Sequence, residues 1–587
     1  MKQILEDIQS LYLRKPILCI LLTSIFLTLP WIGISDFYTK GEPREASQVL
    51  SMIHDGHWVL PFQYADEIGF KPPLMQWLIA GFSLIAGKVS EATSRMPSAL
   101  SVIGLAVFTL IFLLKRRSRM EAVLTALIFL TAFEAHRSGL ECRLDMTLAF
   151  FMSMALMEMF KWEERGLKGF PILLVVFLGC ASLVKGPVGS VLPCFVFGIY
   201  LLIIKYPFWT IFRKILLLAV PALLILSIWY LMAYRQEGDY FLNIAFAENI
   251  GRILGMNRDA LDIDYNLGHE GPFWYYIPAI LVGFLPWSLV LVFAACTFCY
   301  KKWWTKMKSS GTPWLRSVAS IDKVTLFSLV VVIVMICFYA IPSSKRSVYI
   351  LPVYPFASYL LAKVFLWVEE KNPSFFRMLG YILMGVVALL LLLTGFFHFF
   401  NLSDMVVRFT SDPKMLNDLG LFSEYLLYPN WRGYLLWLFL LMVLFVLFVG
   451  WRRMIHVRTL VFGLFVLLIS TQMFLEGTLY PVFKNANSFQ QTAKEFSAFY
   501  DLKDKTYVMN NLRDYPSLYG LNFYLGNKFQ NFEKEYPSDG YLIIGKKKLP
   551  NVRQHFLGKY EFVVLRQTKR NFNEFNDRVL LCKIVKI

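Results

Sequence analysis

Charge is scarce in this chain: Asp, Glu, Lys and Arg together make up 17% of its 587 residues, against 57% hydrophobic and 17% aromatic. A soluble core cannot bury that much apolar surface, so an ordinary cytosolic globule is excluded and a membrane is the natural solvent. Acidic residues are the scarcer sign, with 41 Asp and Glu against 59 Lys and Arg and a formal net charge of +18. Most of the cations flank apolar runs on alternate sides, as the positive-inside rule requires, so the surplus speaks for topology rather than nucleic acid. Cysteine is sparse too, eight in all. Cys19, Cys180, Cys194, Cys296, Cys299 and Cys337 lie in or beside apolar runs and Cys142 and Cys582 in more polar surroundings, so no disulfide framework is expected. No small-residue cleavage site follows the first apolar run, and Met1 to Lys15 ahead of it are polar, so that run reads as a membrane helix. There is no visible internal repeat, which counts against a secondary transporter.

What is present is a series of apolar runs of about 18 residues or more, each able to cross a hydrocarbon core of roughly 30 Å at 1.5 Å per residue. About thirteen spans are expected, beginning near residues 17, 92, 120, 145, 170, 188, 215, 273, 324, 347, 378, 433 and 458. An odd count puts the termini on opposite sides. The basic turns at Lys115 to Arg119, Lys161 to Lys168, Lys205 to Lys214, Lys301 to Lys323 and Trp451 to Arg453 fall on every second loop, which makes them and the N-terminus cytoplasmic. Residues 35 to 91, 136 to 144, 185 to 187, 234 to 272, 342 to 346, 401 to 432 and the tail then face outward. In that tail, apolar stretches such as Tyr541 to Ile544 and Phe562 to Leu565 are too short to span and alternate with helical patterns such as Phe489 to Tyr500. The expected fold is therefore a polytopic α-helical membrane protein with outer-face interfacial helices and a small C-terminal α/β domain. Residues 1–477 would form the transmembrane domain and 478–587 the periplasmic one.

The first outer loop is too long and patterned for a connector. It carries Gly41-Glu42-Pro43-Arg44-Glu45, His57-Trp58-Val59-Leu60-Pro61 and Phe70-Lys71-Pro72-Pro73, with amphipathic stretches at Glu45 to Ile53 and Pro72 to Ile85 suited to helices in the membrane interface. Next comes Ser94-Arg95-Met96-Pro97-Ser98 at the entry to the second span. Further outer-face segments are Arg143-Leu144-Asp145-Met146, Val184-Lys185-Gly186-Pro187, Phe246-Ala247-Glu248-Asn249 with Arg252, His269-Glu270-Gly271-Pro272, and Ser344-Lys345-Arg346 with Tyr349. Their joint order over roughly residues 30 to 360 resembles the large membrane glycosyltransferase superfamily. Within it, the chain looks most like the lipid A 4-amino-4-deoxy-L-arabinose transferases and the bacterial relatives of the protein O-mannosyltransferases.

That resemblance implies an inverting enzyme of the bacterial inner membrane. It would move a sugar from a polyprenyl-phosphate donor to lipid A or another envelope glycan at the periplasmic face. The chemistry needs cations for the departing phosphate and a carboxylate to take the acceptor's proton. Lys71, Arg252, Arg346 and Lys345 are the candidates for the phosphate, and Glu42 and Asp145 for the proton. The superfamily usually shows Asp-Glu-x-Arg where this chain has Gly41-Glu42-Pro43-Arg44, so either Glu42 or Asp145 must do the work of the missing aspartate. Arg44, Lys185, Glu248, His269 and Tyr349 complete the expected cavity. If a divalent metal takes part, His269 and Glu42 are its candidate ligands.

Bland readings compete with each of these. Lys71 and Lys185 could be snorkelling lysines, Asp145 an N-cap for a helix starting at Met146 or a partner of Arg143, and Arg252 a partner of Glu248 one turn earlier. Two rival functions also follow. Protein O-mannosylation would need an outer surface able to admit a peptide. A lipid-linked-sugar flippase would need ionisable residues at mid-span, and those are scarce.

Overall fold

The structure is a computed structural model that describes residues 2–247, 270–298, 321–400, 431–451, 456–502, 505–509, 518–568, 572 and 577–587. Helices dominate it. Among the described residues, seven are long and apolar enough to cross a membrane, or up to nine if each of two bent pairs counts as one span. The chain is thus a multi-pass membrane protein. Three of the expected spans are short helices of 13, 14 and 16 residues, Arg119–Thr131, Ile172–Lys185 and Val188–Ile203, below the roughly 20 residues that a perpendicular crossing needs.

In chain order the first helices are α1 (Lys2–Arg14), α2 (Pro16–Thr28), α3 (Gly41–Asp55), α4 (Leu74–Ala86), α5 (Glu91–Leu114) and α6 (Arg119–Thr131). They are followed by α7 (Phe133–Gly139), α8 (Leu144–Glu164), α9 (Ile172–Lys185), α10 (Val188–Ile203) and α11 (Phe208–Phe246). Two compact units divide the chain. One comprises Met1–Pro30, Ser98–Gly385 and Val443–Gln472, the other Trp31–Pro97, Val386–Met442 and Met473–Ile587.

The first unit is a helix bundle around α6 and α8. A capping box opens α6: the Ser118 hydroxyl accepts from the Glu121 N–H at 3.2 Å, and the Glu121 carboxylate accepts from the Ser118 N–H at 3.1 Å. Every residue from Ala122 to Thr131 is buried, the expected fate of a helix that is apolar on all sides. Close packing elsewhere depends on small residues. A Cβ at Gly189 of α10 would collide with the backbone of Ala181 and Ser182 in α9. Helix α9 stops at Lys185 because Gly186, at φ 85° and ψ −163°, leaves the helical region and Pro187 follows. A 3₁₀ turn, Ser347–Val353, packs on α8, where the Ser153 hydroxyl donates to the Pro352 carbonyl at 3.0 Å.

In the second unit both amphipathic stretches of the first outer loop are helical, as α3 and α4. Helix α3 ends at Gly56 with the left-handed φ of 77° that glycine supplies at helix ends. It is an enclosed helix rather than one lying on an open face, since Glu42, Glu45, Ser47, Gln48, Val49 and Met52 are all buried. Strands β1 (Phe62–Tyr64) and β2 (Glu67–Ile68) form a hairpin that packs against it.

The same unit holds a five-stranded sheet of β3 (Thr506–Val508), β4 (Gln530–Asn531), β5 (Asp539–Gly545), β6 (Tyr560–Gln567) and β7 (Val579–Lys586). Its order is β4-β3-β5-β7-β6, with β3 parallel to both β4 and β5 and the other pairs antiparallel. The two-residue alternation of strands sends Leu542, Ile544, Leu580 and Ile584 into one apolar core and Ile543, Val579 and Leu581 into another. Cys582 joins the first of these cores, so its surroundings are apolar where the sequence suggested polar ones, and burial pushes its thiol up to about 11.

Candidate active site

One charged constellation of the first unit sits at the ends of three elements. Arg143 is extended, at φ −138° and ψ 137°, and α8 begins with the next residue, which puts Asp145 in the first helical turn. Its carboxylate lies where the helix dipole is positive. Lys185 is the last residue of α9, where that helix's dipole favours a cation. The two side chains form an ion pair and remain partly accessible, with 13% of Asp145 and 21% of Lys185 exposed. Tyr349, presented by the 3₁₀ turn, lies under the ammonium with its ring centroid 4.1 Å from Lys185 Nζ.

Both bland readings of Asp145 are replaced by this geometry. It is not an N-cap, because the helix starts at Leu144 and Arg143 holds the cap position. Arg143 pairs with Glu141 at 2.7 Å, while Lys185 pairs with Asp145. Glu141 also lies 3.5 Å from Arg137, which holds Glu134 at 2.7 Å, so the half-exposed Arg137 bridges two buried carboxylates in the segment before α8. Sequence reasoning passed over Glu134, Arg137 and Glu141. Their signal was the spacing of acid and base three and four residues apart in a short polar segment between apolar runs.

Neighbouring residues of the 3₁₀ turn have diverging environments. Arg346 is exposed and Lys345 is buried. Lys345 Nζ donates to the carbonyls of Gly271 at 3.0 Å and Pro342 at 2.6 Å. A bridge between Glu270 and Ser344 and the Gly271 N–H to Ser343 carbonyl bond at 3.1 Å complete a clip, which Lys345 fastens from inside. Glu248, Arg252 and His269 lie outside the described residues.

In the second unit Glu42 is fully buried and held by Arg95: Nε donates to Oε1 at 2.7 Å and Nη2 to Oε2 at 3.2 Å. Further hydrogen bonds of the guanidinium go to the carbonyls of Ile32 at 2.9 Å, Ser35 at 2.6 Å and Asp36 at 3.1 Å, and to the Ser35 hydroxyl at 3.2 Å. This unit therefore folds residues 32–36 around one side chain. Arg95 belongs to the Ser94-Arg95-Met96-Pro97-Ser98 motif but was given no role from sequence. The available signal was a cation in the opening turns of an apolar helix, where a charge must find a partner. Arg44, by contrast, is a quarter exposed and pairs with Glu45 at 2.9 Å, whose other oxygen accepts from Gln76 at 2.5 Å. Lys71 is half-buried, with Nζ 5.9 Å from the Phe70 ring centroid.

Of the two candidate metal ligands, His269 lies outside the described residues. Both oxygens of Glu42 are engaged by Arg95, and among the described residues no three His, Cys, Asp or Glu side chains cluster to hold an ion.

Residues 70–231 match the family model described as dolichyl-phosphate-mannose-protein mannosyltransferase. An undecaprenyl phosphate-alpha-4-amino-4-deoxy-L-arabinose arabinosyl transferase of Shewanella sediminis is 27% identical over 45% of this chain and 47% of its own length. A second such transferase, from Proteus mirabilis, is 30% identical over 44% of this chain and 46% of its own. The chain spans less than two thirds of the length of these curated relatives. The crystal structure of ArnT from Cupriavidus metallidurans bound to undecaprenyl phosphate superimposes with a TM-score of 0.63 at 18% identity, covering 96% of this chain and 97% of that one, which is a likeness of fold. In motif order over part of the chain and in helical architecture, the protein is thus similar to multi-pass membrane glycosyltransferases.

Proposed function

We propose that the protein is an inverting glycosyltransferase that takes a sugar from a polyprenyl-phosphate donor. In this reading the sugar is 4-amino-4-deoxy-L-arabinose and the acceptor is lipid A or another envelope glycan. The observation that carries the reading is the Asp145 and Lys185 pair beside Tyr349, partly open at the helix ends of the bundle. Ionisable groups in such a place cost free energy that folding alone does not require, which is why they point to chemistry.

Asp145 acts on the acceptor. Its carboxylate takes the hydroxyl proton as that oxygen attacks the anomeric carbon, while the bond from that carbon to the phosphate oxygen breaks and its electron pair leaves with the polyprenyl phosphate. Attack from the face opposite the departing phosphate inverts the anomeric centre. Lys185 holds the Asp145 carboxylate oriented between turnovers through their ion pair. Arg346, exposed on the turn that carries Tyr349, offers a guanidinium fork to the donor phosphate. The resemblance assigns the same role to Lys71 and Arg252, and the role of Lys345 is assigned to donor binding through the clip it fastens. Glu42, whose oxygens are both committed to Arg95, is the weaker base.

The same reading sets the protein in the bacterial inner membrane with about thirteen crossings, a cytoplasmic N-terminus and residues 478–587 as a periplasmic α/β domain. Protein O-mannosylation is the second reading, favoured by the family model over residues 70–231. The deciding experiment offers purified protein a labelled undecaprenyl-phosphate aminoarabinose with lipid A, and a mannosyl donor with peptide, comparing native chain with Asp145→Asn and Lys71→Ala. Aminoarabinose transfer that is lost in Asp145→Asn supports the proposal. Transfer only to peptide, or full activity in Asp145→Asn, overturns it.

A further inference from the structure

At the end of the first unit remote from Asp145 lies a cavity of about 1180 Å³, walled by α1, the start of α6, the end of the helix Tyr354–Lys371 and residues 456–459. The helix Tyr354–Lys371 follows the turn that carries Tyr349 and ends at the cavity, which sets the two places roughly 27 Å apart along 18 helical residues.

The pattern of α1 explains where the cavity sits. This helix is bent 111° from α2. If α2 stands across the bilayer, α1 lies nearly in its plane. Leu5 and Tyr12, one side of α1, face the protein: Leu5 is 4% exposed, and the Tyr12 ring is 5.8 Å from that of Phe462. Ile4 and Leu11, seven residues apart, are 58% and 49% exposed, an apolar stripe left open among the described residues. Glu6, Gln9, Ser10 and Leu13 form the third stripe and line the cavity. A helix with one face on protein, one apolar face bare and one polar face belongs at the boundary of hydrocarbon and water. The cavity is then at the depth of lipid headgroups.

Its walls carry both signs of charge. Arg14 is exposed and has no hydrogen-bond or ion-pair partner among the described residues, and Arg119 makes one long bond to the Leu13 carbonyl at 3.4 Å. Arg458 pairs with Glu369 at 3.1 Å, and Glu370, 71% exposed, pairs with the exposed Lys371 at 2.8 Å. Three arginines are thus balanced by Glu6, Glu369 and Glu370. A purely anionic headgroup gains little from a site with no net charge, whereas one with a phosphate diester and a primary ammonium can use both walls. We propose that this cavity binds the phosphoethanolamine headgroup of a membrane phospholipid, its phosphate on Arg14 and Arg119 and its ammonium toward Glu369 and Glu370, with the acyl chains running along Ile4 and Leu11.

Native mass spectrometry of the full chain, released from detergent containing equimolar phosphatidylethanolamine, phosphatidylglycerol and phosphatidylcholine, tests this without reference to catalysis. The ethanolamine lipid should be retained several-fold over the other two. The double variant Arg14→Gln, Arg119→Gln should lower that retention about tenfold, as loss of charge-assisted hydrogen bonds implies, with its melting midpoint in lipid-free detergent unchanged. The single exposed variant Glu370→Gln should keep lipid but lose the preference for ethanolamine over glycerol headgroups. Equal retention of all three lipids, a preference for phosphatidylglycerol, or unchanged retention in the double variant would overturn the proposal.

Discussion

Lys185 and Asp145 stand 40 positions apart in the chain, and the adjacent ends of α9 and α8 bring their ammonium and carboxylate together. Each is placed by the helix dipole that suits its charge, Asp145 in the first turn of α8 and Lys185 in the last turn of α9. The pair is therefore stabilised by backbone as well as by side chain, which is how a partly open ion pair persists at the end of an apolar bundle.

Asp145→Asn keeps the shape and removes the proton acceptor. Sugar transfer should fall about 10²–10⁴-fold, the range for loss of a general base, with little change in donor KM. Lys185→Met should lower transfer less, because Asp145 then loses the cation that holds its carboxylate in place. Full transfer in Lys185→Met would remove Lys185 from this role.

Arg95→Met leaves the Glu42 carboxylate buried without its cation. Breaking one side of a buried pair costs about 3–5 kcal/mol, so the thermal unfolding midpoint in detergent should drop sharply. Glu42→Gln, which leaves a neutral partner for the guanidinium, should cost less. Because a multi-unit membrane protein is not expected to unfold in two states, the rank order of midpoints is the quantity to read. Equal midpoints for native chain and Arg95→Met would contradict the hub seen around residues 32–36.

Burial raises the carboxyl pKa of Asp36 and of Glu67, with desolvation the largest cause at each. A folded-state pKa above the unfolded value of about 4 means that the folded chain holds more protons between the two values. Stability contributed by these groups is therefore lost as pH rises through that window and regained on acidification from neutral. Asp36→Asn with Glu67→Gln should flatten the pH dependence of the melting midpoint just above pH ~4, compared with the native chain. An unchanged slope would show that other groups set it.

Gly189→Val tests the contact that seats Lys185. A side chain there meets backbone rather than a movable group, so α9 and α10 must separate, at a cost of about 1–3 kcal/mol. Transfer should fall together with stability, since α9 ends at Lys185. Gly198→Ala, where a Cβ finds only ordinary contacts, is the matched control and should change neither.

Much of the architecture was legible in the residues themselves. Apolar runs alternating with basic turns forecast the helices because hydrocarbon forces every backbone group to be satisfied within its own segment. Glycine and proline at 186 and 187 marked the end of α9, and Arg143 to Met146 marked the start of α8. The site itself was only half visible. Asp145, Lys185 and Tyr349 were each candidates, but their meeting is a contact between distant segments, and neither periodicity nor composition carries that information. The partner of Glu42 shows the same limit from the other side: a motif containing Arg95 was in plain view, and only folding chose it over Arg44 as the cation for that carboxylate. What the sequence alone determined was a membrane protein, its helical segments and the polar residues that an apolar environment must account for. Tertiary structure decided which of those residues satisfy one another, because a buried charge takes whichever opposite charge the packing of helices delivers to it.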